Sequence, residues 1–168
     1  MKTMFQLKPI SKEGIAEALK KAERYRLLNE PRLSESICED ILAIDPENHD
    51  AVITMLLAIT DQFGRHSSAT VNKARQLIPR IHSEYERHYY SGIICERQGI
   101  AILNQGILSG NITSYHWLVD AMEHFEDAEA IHPPGNEDAI LRWNPCARLI
   151  MTYNLHPRQE HYMEPPLE

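Results

Sequence analysis

The stretch Ala121-Met-Glu-His-Phe125-Glu-Asp-Ala128-Glu-Ala-Ile131-His-Pro133 decides how this chain folds. A small residue is followed by an aromatic four positions on, a small residue three further, and a proline five beyond that. Small side chains let a neighbouring helix come close, and the aromatic fills the space between helices. Proline has no backbone N–H and ends the helix. This is the closing pattern of the second helix in a helix-turn-helix unit. A second such ending lies upstream as Cys38-Glu-Asp-Ile41-Leu42-Ala-Ile44-Asp45-Pro46-Glu-Asn48. Two endings of this kind predict stacked helical hairpins, an architecture suited to binding.

The remaining segments read as helices around these two. Ser11 caps a helix over about 11–29, with Ile15, Ala18, Leu19, Ala22, Tyr25 and Leu28 at three-four spacing. Pro31 opens the next, to Ile44, with its stripe of Leu33, Ile37, Ile41 and Ile44. Asp45 to Asn48 is a turn. A third helix runs over 49–63 and stops at Gly64, and Ser67 or Ser68 caps a fourth that Pro79 shortens or bends. The fifth spans about 83–105, apolar on more than one side. The segment 106–111 reads as a loop, and Thr113 or Ser114 caps a sixth helix to Ile131. After a Pro133-Pro134-Gly135 turn, Asn136 caps a seventh, which Pro145 bends. The expected class is all-α: a right-handed stack of antiparallel helix pairs, about seven helices. Residues 1–10 form an extension, 11–154 the helical domain and 155–168 an irregular tail.

Composition narrows function by exclusion. The 168 residues carry a net charge of −7, which disfavours nucleic acid as a general partner. The apolar region 92–108 is interrupted by Glu96, Arg97 and Gln98, so no membrane span is expected, and Met1 to Pro9 lacks an apolar run of signal-peptide length. A cytoplasmic protein is the expectation. Cys38, Cys95 and Cys146 lie far apart without CxxC spacing and read as buried small hydrophobes. No Gly-rich phosphate loop, HExxH or nucleophile elbow occurs, so no catalytic residues and no cofactor are expected.

With these helix endings the chain resembles the tetratricopeptide repeat proteins. One unit corresponds to Ile15–Asn48, with Ala22 and Tyr25 on its first helix and Asp45-Pro46-Glu-Asn48 as the inter-repeat turn. A weaker unit follows over 49–84. In a third, Gly92 and Gly99 match the small positions of a first helix, and Ala121, Phe125, Ala128 and Pro133 close it. That unit is roughly 17 residues longer than the family's repeat of about 34. None of the units carries the family's tryptophan near the start of its first helix.

The resemblance implies a concave surface lined by the first helices, binding a peptide or helix of a partner protein. Carried onto this chain, that groove uses Leu19, Glu23 and Arg26, then Ile53, Leu57 and Thr60, then Tyr89, Ile93 and Glu96. Its rim, with two acidic residues and one basic, favours a somewhat basic amphipathic segment. Family members that hold a C-terminal carboxylate use a Lys, Asn, Asn, Lys, Arg set. The matching positions here are Leu19, Glu23, Thr54, Glu86 and Tyr90, so that activity is not expected.

Two alternatives come from the residues themselves. Lys20, Lys21 and Arg24 near one end and Glu123, Glu126 and Asp127 near the other are oppositely charged, which would suit a self-assembling homo-oligomer. His116, Asp120 and His124 share a helix face beside Asp127, and Glu84 and His88 form a similar pair, so a divalent transition metal is a third reading.

Overall fold

The computed structural model describes residues 5–64, 69–106 and 110–158. Seven α-helices and no strands occur among them: α1 (Ile15–Leu27), α2 (Pro31–Ile44), α3 (His49–Thr60), α4 (Ala69–Arg75), α5 (Glu84–Asn104), α6 (Gly110–Ala130) and α7 (Asp138–Thr152). Single 3-10 turns precede α1 at Lys12–Gly14 and follow α4 at Ile78–Arg80.

Local chemistry sets most helix ends. The Ser11 hydroxyl accepts from the Gly14 N–H at 3.2 Å. Pro31 occupies the first turn of α2, where its missing N–H is not needed. In the turn that follows, Asn48 Oδ1 accepts from the Ala51 N–H at 2.9 Å, and its Nδ2 donates to Asp45 at 3.0 Å. Gly64, with φ of +84°, takes the left-handed conformation that ends the α3 segment. Ser83 caps α5 through the Glu86 N–H at 3.3 Å, and Asn136 accepts from the Asp138 N–H at 2.9 Å to open α7.

Two boundaries stand out against expectation, and a third lies outside the described residues. α4, whose apolar pattern reaches about Ile81, ends at Arg75, and Pro79, which cannot supply a helical N–H, lies in the 3-10 turn that follows. The caps expected from Ser67 or Ser68 lie outside the described residues. α6 is already helical at Gly110, so Thr113 and Ser114 lie inside it. The Ser114 hydroxyl is buried and donates to the Gly99 carbonyl at 2.8 Å, joining α6 to α5.

Each helix packs chiefly on the next in the chain. α1 also touches α3, α3 touches α5, and α5 touches α7. One core collects Ala22, Cys38, Ile41, Leu56 and Ile59 from α1 to α3 with Ala74 and Ile81, and receives Ile94 of α5. A second joins α5 to α6 and α7 through Ile93, Leu118, Ala121, Phe125, Ala128, Ala139 and Cys146. Leu57, Tyr90 and Trp117 pack against both.

The α5–α6 contact is the most extensive in the fold, and small residues let the helices approach closely. A Cβ placed on Gly92 would lie 2.5 Å from the Phe125 ring, and one on Gly99 3.1 Å from Leu118. Phe125 is fully buried, with the Tyr89 ring 5.9 Å from it. Trp143 is only half-buried, and its Nε1 donates to Glu126 at 2.9 Å. Leu155, placed in the tail on sequence grounds, is 3% exposed within the second core, and its N–H donates to the Ile150 carbonyl at 2.9 Å.

Candidate functional site

The nine groove positions divide by environment. Leu19 and Ile53 are half-buried against the first core, Leu57 sits between the cores, and Tyr89 packs against the second. Glu23 is exposed. Thr60 is buried and its hydroxyl donates to the Leu57 carbonyl at 2.8 Å. Ile93 is 1% exposed and Glu96 4% exposed, so neither lies on an open groove. The reason is that α5 is apolar on more than one face, and α6 and α7 cover the face carrying these two residues.

An opening remains where the C-terminal ends of α1, α3 and α5 meet. It is a hollow of about 360 Å³ whose walls include Arg26, Leu27, Thr60, Asp61, Phe63, Arg97 and Ile100. Arg26 and Thr60 belong to the expected groove. Asp61, Phe63, Arg97 and Ile100 do not, because sequence spacing places them on helices without saying that three helix ends converge.

Asp61 organises this hollow. Arg26 Nε donates to its Oδ2 at 2.7 Å, and an Arg97 guanidinium N–H donates to Oδ1 at 3.0 Å. One carboxylate cannot saturate two five-donor guanidinium groups, so the site offers N–H donors to a ligand rich in acceptors. The rim is therefore not the two-acid, one-base set expected, since Glu96 has turned inward and Arg97 has joined. Leu27, at 87% exposed, supplies apolar surface at the edge.

Glu96 instead forms a buried link between α5 and α7. Arg142 donates to its Oε2 at 3.0 Å, and the Cys146 thiol lies 4.0 Å from Oε1. Burial raises the Glu96 carboxyl above its ordinary range, with Arg142 and then Arg97 opposing that rise. Burial also pushes the thiols up, Cys38 and Cys146 to about 12 and Cys95 to about 11, so none is poised as a nucleophile.

The histidines come together differently from the single-helix set expected. His116 and Asp120 are exposed on α6, while His124 and Asp127 of α6 meet His88 of α5. One ligand atom from each of His88, His124 and Asp127 lies within 4.8 Å of the others. His88 Nδ1 is 3.8 Å from Asp127, and its Nε2 is 3.9 Å from Glu84. His124 titrates below its ordinary value, chiefly through burial and then through the nearby His88. It also lines a separate hollow of about 310 Å³ with Arg75, Ile78, Ser91, Ile94 and Cys95.

The oppositely charged ends do not pair with each other among the described residues. Lys20 bonds to Glu17 of its own helix at 2.9 Å, Glu126 takes the Trp143 N–H, and Asp127 faces His88. No described helix is long and apolar enough to cross a membrane. Comparison of the chain with protein-family models, with curated proteins and with solved structures found no match.

Proposed function

We propose that this chain is a non-catalytic interaction module, a helical-repeat scaffold of tetratricopeptide type that holds a segment of a partner protein. The observation that carries this reading is the convergence of α1, α3 and α5, which the repeat reading takes as the first helices of three successive pairs, on one hollow lined by Arg26, Asp61 and Arg97. A stack of hairpins presents its first helices along one face, so a shared hollow among alternate helices fits that reading. Leu27, Phe63 and Ile100 supply apolar contact. The two guanidinium groups supply donors for backbone carbonyls or an acidic side chain, and polar groups of this kind set register and partner choice. The ligand this favours is a short amphipathic segment, acceptor-rich toward Arg97.

The test uses a displayed library of short random peptides. It is selected in parallel against the wild-type chain and against Leu27→Asp and Arg97→Glu, both first checked for unchanged helicity and melting. A peptide motif enriched on wild type and lost on both variants supports the reading. No enrichment, or the same motif on all three proteins, refutes it. Light scattering on the wild type addresses self-assembly, and a monomer removes that alternative.

A further inference from the structure

We infer that His88, His124 and Asp127 form a site for a divalent transition-metal ion of the zinc class, with Glu84 orienting His88 from outside the coordination sphere. The site lies on the α5–α6 pair and is independent of the hollow at Arg26, Asp61 and Arg97.

The donors come from two helices whose relative position is locked. His88 stands one turn before Gly92, and His124 adjoins Phe125, the ring that packs directly on Gly92. Asp127 follows His124 by three residues and so shares its face. Rigid flanking contacts of this kind give a site its precision, because the backbone does not need to be reorganised.

The geometry is close to what an ion needs. In a tetrahedral site with bonds of about 2.0–2.2 Å, ligand atoms sit roughly 3.3 Å apart. The three donor atoms here lie within 4.8 Å of one another, and His88 Nδ1 is 3.8 Å from the Asp127 carboxylate. Side-chain rotations that move the donor atoms by up to about 1.5 Å close that difference. Two imidazoles and one carboxylate suit a borderline ion such as Zn²⁺, not Mg²⁺ or Ca²⁺, which prefer oxygen.

The second nitrogen of His88 strengthens the assignment. Nε2 faces Glu84 at 3.9 Å, on the opposite side of the ring from Nδ1. That contact is longer than a hydrogen bond, but a small rotation of the exposed Glu84 side chain would let it accept from Nε2–H and leave the Nδ1 lone pair for the ion, the arrangement that accompanies most metal-bound histidines. Three protein donors leave a tetrahedral ion one position for water. Among the described residues, His116 and Asp120, on exposed turns of the same helix, fall outside this cluster.

The experiment titrates the tag-free full chain with Zn²⁺ by calorimetry and with Co²⁺ by visible absorption. The expected result is one equivalent bound and the intense visible bands of four-coordinate Co²⁺. His88→Ala and His124→Ala should each weaken binding at least about 10-fold, and Glu84→Gln about 10–100-fold. His116→Ala should bind as wild type does. Circular dichroism accompanies each variant. If His124→Ala fails to fold, His88→Gln and Asp127→Asn carry the comparison. Absence of stoichiometric uptake, retention of binding by the His88 and His124 variants, or equal weakening by His116→Ala overturns the assignment.

Discussion

Replacing Gly92 by alanine sets two effects of opposite sign against each other. In an open helix the change stabilises by about 0.8–1.0 kcal/mol, because alanine loses less backbone freedom on folding. Here the new methyl would lie 2.5, 2.7 and 2.9 Å from three carbons of the Phe125 ring. Carbon atoms prefer about 3.5–4.0 Å, so ring or helix must retreat by roughly 1 Å. Phe125 is fully buried and Tyr89 packs against it, so the ring has no room to withdraw. Overpacking of this kind costs about 1–3 kcal/mol. Three close contacts on a confined ring place the cost toward the upper end, for a net loss of about 1–2 kcal/mol. In a chain of this size that lowers the melting temperature by roughly 2–8 °C. Urea unfolding followed by circular dichroism measures it. Gly99→Ala, whose nearest contacts are 3.1 and 3.2 Å, should lose less. The decisive comparison is a double-mutant cycle with Phe125→Leu, in which the alanine should be tolerated better by at least about 0.5 kcal/mol. A Gly92→Ala protein more stable than wild type, or strict additivity in the cycle, would refute the close α5–α6 packing.

Phe125→Ala should cost about 3–5 kcal/mol in urea unfolding by opening a cavity at the centre of the second core, and a change below about 1 kcal/mol would mean the ring is not enclosed. Arg142→Ala should destabilise by about 3–5 kcal/mol near neutral pH, since it leaves the Glu96 carboxylate buried without its partner. That loss should shrink on acidification. Burial raises the folded-state value of Glu96, so its protonated form favours the folded chain, and this contribution disappears as pH rises through that raised value. Unfolding of variant and wild type at about pH 5 and pH 7 measures the gap, and a gap that does not narrow at the lower pH argues against a buried charge. All three cysteines should resist a thiol reagent at mild alkaline pH until the chain is denatured, because burial holds each thiol well above its ordinary range. Rapid reaction of Cys95 in the native protein would show that its surroundings open.

Helix existence and most helix ends were legible because their causes are local. Ser11, Pro31 and Gly64 act within a few residues of themselves, and each stands where the structure places a cap, a first turn or a stop, while Asn136 lies one residue before the N-cap of α7 and accepts from the Asp138 N–H. The small-aromatic-small pattern of Ala121, Phe125 and Ala128, with Gly92 and Gly99 at small positions, marked where a neighbouring helix can approach closely, for the same kind of reason. Shape alone dictates that bulky neighbours cannot stand there. The start of α6 was misjudged because Ser114 carries a capping side chain but makes its bond across to Gly99, a partner that only packing reveals.

The candidate sites were less legible, since each is built from residues distant in sequence. Helical periodicity says which side chains share a face, not which other helix covers that face. For α5 both faces read as apolar, so Ile93 and Glu96 could be placed in a groove on sequence grounds, while α6 and α7 bury them. Arg26 and Arg97 come from α1 and α5 and Asp61 from just past the end of α3, and His88 meets His124 and Asp127 only across the α5–α6 contact. Each pairing depends on how far one helix slides along another. That displacement is fixed by the fit of Phe125 against Gly92 and Leu118 against Gly99, a packing balance over the whole core that no local run of residues encodes.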